Sequence, residues 1–158
     1  MGRNGWNAPA PVFRRRVRDR LREDGTAVVA TVVDVQGSAY RRPGAKMLFE
    51  GSEPTGAVTA GCLESDLAEA SRRVRAAGAP ELVTYDLTGD GWGLSVGCEG
   101  VVTVLLEPLS ERYRPVVDAF ADGQSLGVVT VIADEDGPLD SGTRAYYDPE
   151  TGALTPRD

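Results

Sequence analysis

Two hydrophobic periods alternate along this chain, one with the spacing of a helix and one with that of a buried strand. Phe13, Val17 and Leu21 recur every four residues as one apolar stripe, which predicts a helix from Val12 that Gly25 closes. The run Ala27-Val28-Val29-Ala30-Thr31-Val32-Val33 is unbroken and β-branched, and predicts a strand covered on both faces. A polar turn over residues 37–44 leads to a second strand, Ala45-Lys46-Met47-Leu48-Phe49. A turn around Gly51 and Pro54 leads to a third, Gly56-Ala57-Val58-Thr59-Ala60. Leu63, Leu67, Ala70, Val74 and Ala77 then share one helical face, and Gly78 and Pro80 end that helix. Further strands are predicted over residues 81–85, 101–106, 127–132 and 144–147, with a helix over residues 111–120.

The chain also repeats itself. Val28-Val29 corresponds to Val128-Val129, and Gly44-Ala45-Lys46-Met47-Leu48-Phe49-Glu50 to Gly142-Thr143-Arg144-Ala145-Tyr146-Tyr147-Asp148. Thr55-Gly56-Ala57-Val58-Thr59 resembles Thr151-Gly152-Ala153-Leu154-Thr155, and Phe13/Val17 match Tyr113/Val117. A helix–strand–turn–strand–turn unit thus occurs twice, about 100 residues apart. The two copies are expected in one mixed sheet or as a pseudo-symmetric pair. Arg41, Arg42 and Lys46 surround the turn of the first copy, which runs into Cys62, whereas the second has Leu139, Asp140 and Ser141. That contrast predicts chemistry on the first copy and a scaffold role for the second.

A length of 158 residues suits one domain. Residues 1–11, rich in Gly, Asn and Pro, read as an arm. Residues 12–158 read as a single α/β domain, with α+β as the alternative, in which helices flank a mixed sheet. No apolar run reaches the ~18 residues that span a bilayer, and the start of the chain lacks the apolar core of a signal peptide. A cytoplasmic protein with reduced thiols is therefore expected. The net charge of −7 speaks against nucleic acid and anionic membranes as partners. Arg14, Arg15, Arg16, Arg18, Arg20 and Arg22 stud the first helix and, in so acidic a chain, read as a solvated face. Lys46 is the only lysine.

With no histidine and two cysteines, any nucleophilic, redox or soft-metal chemistry has to run through Cys62 and Cys98. Each follows a glycine, in Gly61-Cys62-Leu63-Glu64 and Gly97-Cys98-Glu99-Gly100. Cys62 stands where a helix begins, and free N–H groups there favour a thiolate, while Glu64 and Asp66 oppose it. Plain buried hydrophobes are the alternative reading of both thiols. The glycines before Cys98 lead into a strand and open no helix, so they are not a dinucleotide fingerprint. Two thiols also fall short of the four ligands of a structural zinc site. Between Gly37 and Lys46 the turn offers Ser38, Arg41, Arg42 and Lys46, a set suited to phosphate or another anion; an ordinary charged turn is the alternative.

In order along the chain stand Gly37-Ser38, Arg42-Pro43-Gly44-Ala45-Lys46-Met47, Gly61-Cys62-Leu63-Glu64, Tyr85-Asp86-Leu87, Gly97-Cys98-x-Gly100 and Glu107-Pro108. Together these strings resemble the XdhC/CoxI family of accessory proteins for molybdenum hydroxylases such as xanthine dehydrogenase and carbon monoxide dehydrogenase. The resemblance implies a noncatalytic, dimeric chaperone. Such a protein holds molybdenum cofactor as cargo, assists its sulfuration (with a cysteine desulfurase as a partner) and delivers it to the apo-hydroxylase. It implies a site at Gly61, Cys62, Glu64, Gly97 and Cys98, the two thiols being the molybdenum ligands, with Ser38, Arg41, Arg42 and Lys46 for the pterin phosphate. Glu99 departs from the small or neutral residue common in the family and adds negative charge beside Cys98. Many members continue into a C-terminal Rossmann domain; this chain shows none, so NAD is not expected. A thiol-dependent sulfur-transfer or redox enzyme is the rival function, and a protein that only docks a partner is a third.

Overall fold

The β-branched run after Ala27 becomes the central strand of the molecule. The computed structural model describes residues 10–23, 26–51, 53–89, 99–132 and 136–157. Its first part runs α1 (Ala10–Arg22), β1 (Val28–Ser38), β2 (Lys46–Glu50), β3 (Glu53–Gly56), α2 (Glu64–Ala77), β4 (Glu81–Asp86) and β5 (Glu99–Pro108). A short 3₁₀ turn, Glu111–Tyr113, then precedes α3 (Arg114–Ala121), β6 (Gly127–Thr130), β7 (Arg144–Tyr147) and β8 (Leu154–Arg157). The strands form a five-stranded sheet, β3-β2-β1-β5-β4, and a three-stranded sheet, β6-β7-β8.

Helices flanking strands and the internal repeat are present as expected. Among the described residues every strand pairing is antiparallel, however, where a mixed sheet was expected. The links β1–β2, β2–β3 and β7–β8 are too short for anything else, because a parallel pair needs a crossover of about a dozen residues or more. Each copy of the repeat builds its own sheet, so the copies form a pseudo-symmetric pair. Their turns share hydrogen bonds: Gly44 N–H donates to Val32 O at 2.8 Å, and Gly142 N–H to Val131 O at 2.8 Å. The expected match of Val28-Val29 to Val128-Val129 slips by one residue, since Val28 opposes Phe49 and Gly127 opposes Tyr147, and at the third strand the correspondence slips further. Met47 pairs with Gly56 and Ala145 with Pro156, so Thr151 and Gly152 sit in the turn ahead of β8 while Thr55 and Gly56 lie within β3. The Asp148 carboxylate organises that longer turn by accepting from Glu150 N–H at 2.8 Å.

The central sheet is buried on both faces. Val28, Ala30, Val32, Met47 and Phe49 join Leu63, Leu67 and Val74 of the α2 layer in one cluster. Val29 and Leu48 join Val17, Leu21, Tyr113 and Val117 of the α1/α3 layer in another. This alternation is the period of a strand, and each fully buried aliphatic side chain contributes about 1.5–3 kcal/mol.

α1 begins at Ala10, two residues before the expected start, with Pro11 in its first turn, where a missing N–H costs nothing; the rest of the expected arm, residues 1–9, lies outside the described residues. Three arginines of α1 correct the expectation of a solvated face. Arg20 Nε lies 2.5 Å and Arg16 Nη1 3.2 Å from the buried Glu50 carboxylate, and Arg14 stacks on the Phe120 ring at 4.0 Å. Among the described residues no helix is long and apolar enough to cross a membrane.

Candidate functional site

Strand β1 outruns its partner β2, and this overhang carries the first group of candidate residues. Pairing with β5 shifts register between Val32 and Asp34, a bulge, and then continues through Gly37↔Gly100 to Ser38↔Glu99. The ladder therefore ends one residue from Cys98. Cys98 and Gly97 themselves lie outside the described residues. At the crossing a Cβ on Gly100 would collide with the carbonyl oxygens of Gln36 and Ser38, so only glycine lets the two strands close there. Ser38, Arg41 and Arg42 then line an open cavity of about 410 Å³ with Gly37 and Pro43.

Cys62 occupies the turn between β3 and α2. A Cβ on Gly56, whose φ is +100°, would sit 2.5 Å from Lys46 O, which holds β3 tightly against β2. The expected third strand over residues 56–60 is displaced to β3, and the chain after Gly56 bends instead. The Thr59 hydroxyl accepts from Gly61 N–H at 3.3 Å and donates to Glu64 Oε1 at 3.0 Å, which fixes the turn around Cys62. Glu64 begins α2, and its Oε2 is buried with no hydrogen-bond partner among the described residues. Cys62 is half-buried. It packs against the α2-side cluster, as do Ala39 and Ala45 at either end of the Arg41/Arg42 loop. The Gly61–Glu64 turn and that loop thus cover the same side of the sheet. Among the described residues no group of three or more Cys, Asp or Glu is placed to hold a metal. The Asp86 carboxylate, from the Tyr85-Asp86-Leu87 string, accepts from the Thr88 hydroxyl at 2.5 Å and from Thr88 N–H at 3.0 Å, and these contacts, the hydroxyl first, hold it below the usual carboxylate range; its work is closing a turn.

Lys46 points the other way. Strand alternation turns Met47 toward α2 and Lys46, with Leu48, toward α1 and α3. Its Nζ donates to Thr31 Oγ1 at 2.9 Å, and burial first, then the nearby Arg144 charge, pulls its pKa down to about 8 against the opposing pull of Glu107. The structure thus separates Lys46 from Cys62 by the thickness of the sheet. Arg41 lines the cavities on both sides.

The second repeat contributes Arg144 at the position equivalent to Lys46. Arg144 Nη2 lies 2.5 Å from Glu107 Oε2 and 3.4 Å from the Tyr113 hydroxyl, while Tyr113 donates to Glu107 at 2.9 Å. All three side chains are buried. Burial works against the Arg144 charge, but Tyr113 and Glu107 outweigh it and hold the guanidinium above its ordinary range. This pair joins the second sheet to the first, and losing one partner would cost roughly 3–5 kcal/mol by stranding the other charge. Sequence reasoning missed Arg144, Glu107 and Tyr113 as a unit. The signal lay in the repeat, which aligns the lone lysine with a second cation.

The XdhC and CoxI family model matches residues 20–86, a span that includes Ser38, Arg41, Arg42, Lys46, Gly61, Cys62 and Glu64. The chain is 35% identical over 126 residues to a probable subunit of xanthine dehydrogenase from Bacillus subtilis (strain 168), across 72% of this chain and 37% of that protein. A crystal structure of a xanthine dehydrogenase from Bacillus halodurans is similar with a TM-score of 0.74 and 29% identity, across 92% of this chain and 44% of that one. The chain therefore spans less than half the length of each of these relatives. Through residues 20–86 it belongs to the XdhC and CoxI family.

Proposed function

We propose that the chain serves the maturation of a molybdenum hydroxylase of the xanthine dehydrogenase type, holding molybdenum cofactor as cargo at the Cys62 turn and passing it to the apo-enzyme. Family membership and the names of the two relatives support the link to such hydroxylases. One observation carries the choice of site: the buried Glu64 Oε2, beside half-buried Cys62, has no hydrogen-bond partner among the described residues. A buried carboxylate oxygen without a donor is costly. A pterin presents N–H donors along one edge, which would satisfy it. The Cys62 thiolate is a soft ligand suited to molybdenum, and the Arg41/Arg42 loop on the same side of the sheet suits the pterin phosphate. Cys98, the neighbour of Glu99 in sequence, would be the second soft ligand. No group on the chain needs to do chemistry in this reading; sulfuration belongs to a separate sulfur donor such as a cysteine desulfurase.

The test is retention. Mixed with cofactor released from a donor enzyme and passed through gel filtration, the protein is expected to carry molybdenum and pterin in equal amounts. Cys62→Ser is expected to lose most of both. No retention by the native chain would overturn the reading, and undiminished retention by Cys62→Ser would remove the thiol from it.

A further inference from the structure

The other side of the sheet holds a cavity that shares only Arg41 with the cargo reading. It measures about 350 Å³ and lies between α1, α3 and β2, within the range of small-molecule sites. Its walls divide by chemistry. Phe13, Val17, Val117 and Phe120 make an apolar floor, and Arg14, Arg41, Lys46 and Arg144 supply cations. Among the described residues, no carboxylate lines it. In a chain of net charge −7, that concentration of one sign runs against composition.

The cations are not equivalent. Arg144 is committed to Glu107 and Arg14 to the Phe120 ring. Lys46 has neither an ion pair nor a ring contact among the described residues. Among these residues its Nζ donates one hydrogen bond, to a neutral hydroxyl, and no carboxylate lies within ion-pair distance. Glu107 acts on it only through space and is already paired with Arg144, so the largely buried ammonium is incompletely compensated, and an anion entering the cavity would relieve it. The apolar floor beneath the ammonium selects the rest of the ligand.

We propose that this cavity is a binding site for a small amphipathic anion, a carboxylate or phosphate monoester on an aromatic or short alkyl body, with its charge against Lys46 and its body on Phe13, Val17, Val117 and Phe120. The site draws on both halves of the internal repeat, since α1 and β2 come from the first copy and α3 and Arg144 from the second. It lies across the sheet from Cys62 and its charge contact is Lys46, which the cargo reading does not need, so the proposal goes beyond that reading and is tested apart from it.

Because Lys46 is the only lysine, reductive methylation with ¹³C-formaldehyde labels two amines, Lys46 and the chain's α-amino group. The signal missing from Lys46→Arg is that of Lys46. Titration with phenyl phosphate and with phenylacetate distinguishes the two headgroups on one ring, and benzyl alcohol is the neutral control. The expected result is a saturable shift of the Lys46 signal with at least one anion, a rise of about one unit in its pKa on saturation, and no response to the alcohol. Val117→Trp, which fills the floor, is expected to abolish the response while the Lys46 signal remains. An unmoved signal with both anions, an equal response to benzyl alcohol, or a response that survives in Val117→Trp would overturn the proposal.

Discussion

Lys46 shows how a single residue records the conflict between two demands. As a strand residue it must alternate inward, and as a cation it resists burial. Its pKa is pulled from the ordinary 10.5 to about 8, chiefly by burial and then by Arg144. Below pH 8 the ammonium is charged in both folded and unfolded states, and the folded state bears the cost. Between about pH 8 and 10.5 the unfolded chain keeps a proton that the folded protein has released, so stability rises with pH across that window. The gap corresponds to roughly 3 kcal/mol at most. Lys46→Met is therefore expected to be more stable at pH 7 by up to roughly 3 kcal/mol, and to lose the rise that the native protein shows between pH 8 and 9.5. Urea midpoints at these pH values read both effects, and parallel pH profiles for the two proteins would contradict the assignment.

At the scale of elements, the crossing of β1 and β5 decides where the overhang and its loop can stand. Gly37 faces Gly100 there, and the backbones approach too closely for a side chain at Gly100. Gly100→Ala is expected to destabilise the fold by about 2–4 kcal/mol, since the obstruction is backbone that cannot rotate away. Thermal melting reads the loss, and a Tm unchanged from the native protein would contradict the strand pairing. Most of these elements were legible because burial imposes its period on the sequence: Val17 and Leu21 on α1, the run from Val28 to Val32 on β1, and Leu63, Leu67 and Val74 around α2 are all buried as patterned. β8 was not legible, because Leu154-Thr155-Pro156-Arg157 pairs along only one edge and exposes Leu154. Nor was strand direction, which follows from turn length and pairing; hydrophobic period carries no information about it.

For the whole molecule, the central sheet separates two sets of polar groups that lie close together in sequence. Gly61, Cys62 and Glu64 cover the α2 side and Lys46 joins Arg144 between α1 and α3, while Arg41 reaches cavities on both sides. Reading the 37–46 turn as one cationic patch overlooked strand alternation, which sends Lys46 through the sheet. The ion pair of Glu107 and Arg144 was equally hidden, since its partners are 37 residues apart and meet only when the two repeats dock. What the sequence did carry was the order of its glycine, cysteine and acidic strings, and the family match spans those up to Asp86. The claim that Cys62 holds cofactor molybdenum is tested most directly by X-ray absorption at the molybdenum edge of the cofactor-loaded chain. A thiolate sulfur from Cys62 among the atoms bonded to the metal, lost in Cys62→Ser, is the predicted result. Identical spectra for the native and Cys62→Ser proteins, loaded to the same molybdenum content, would contradict it.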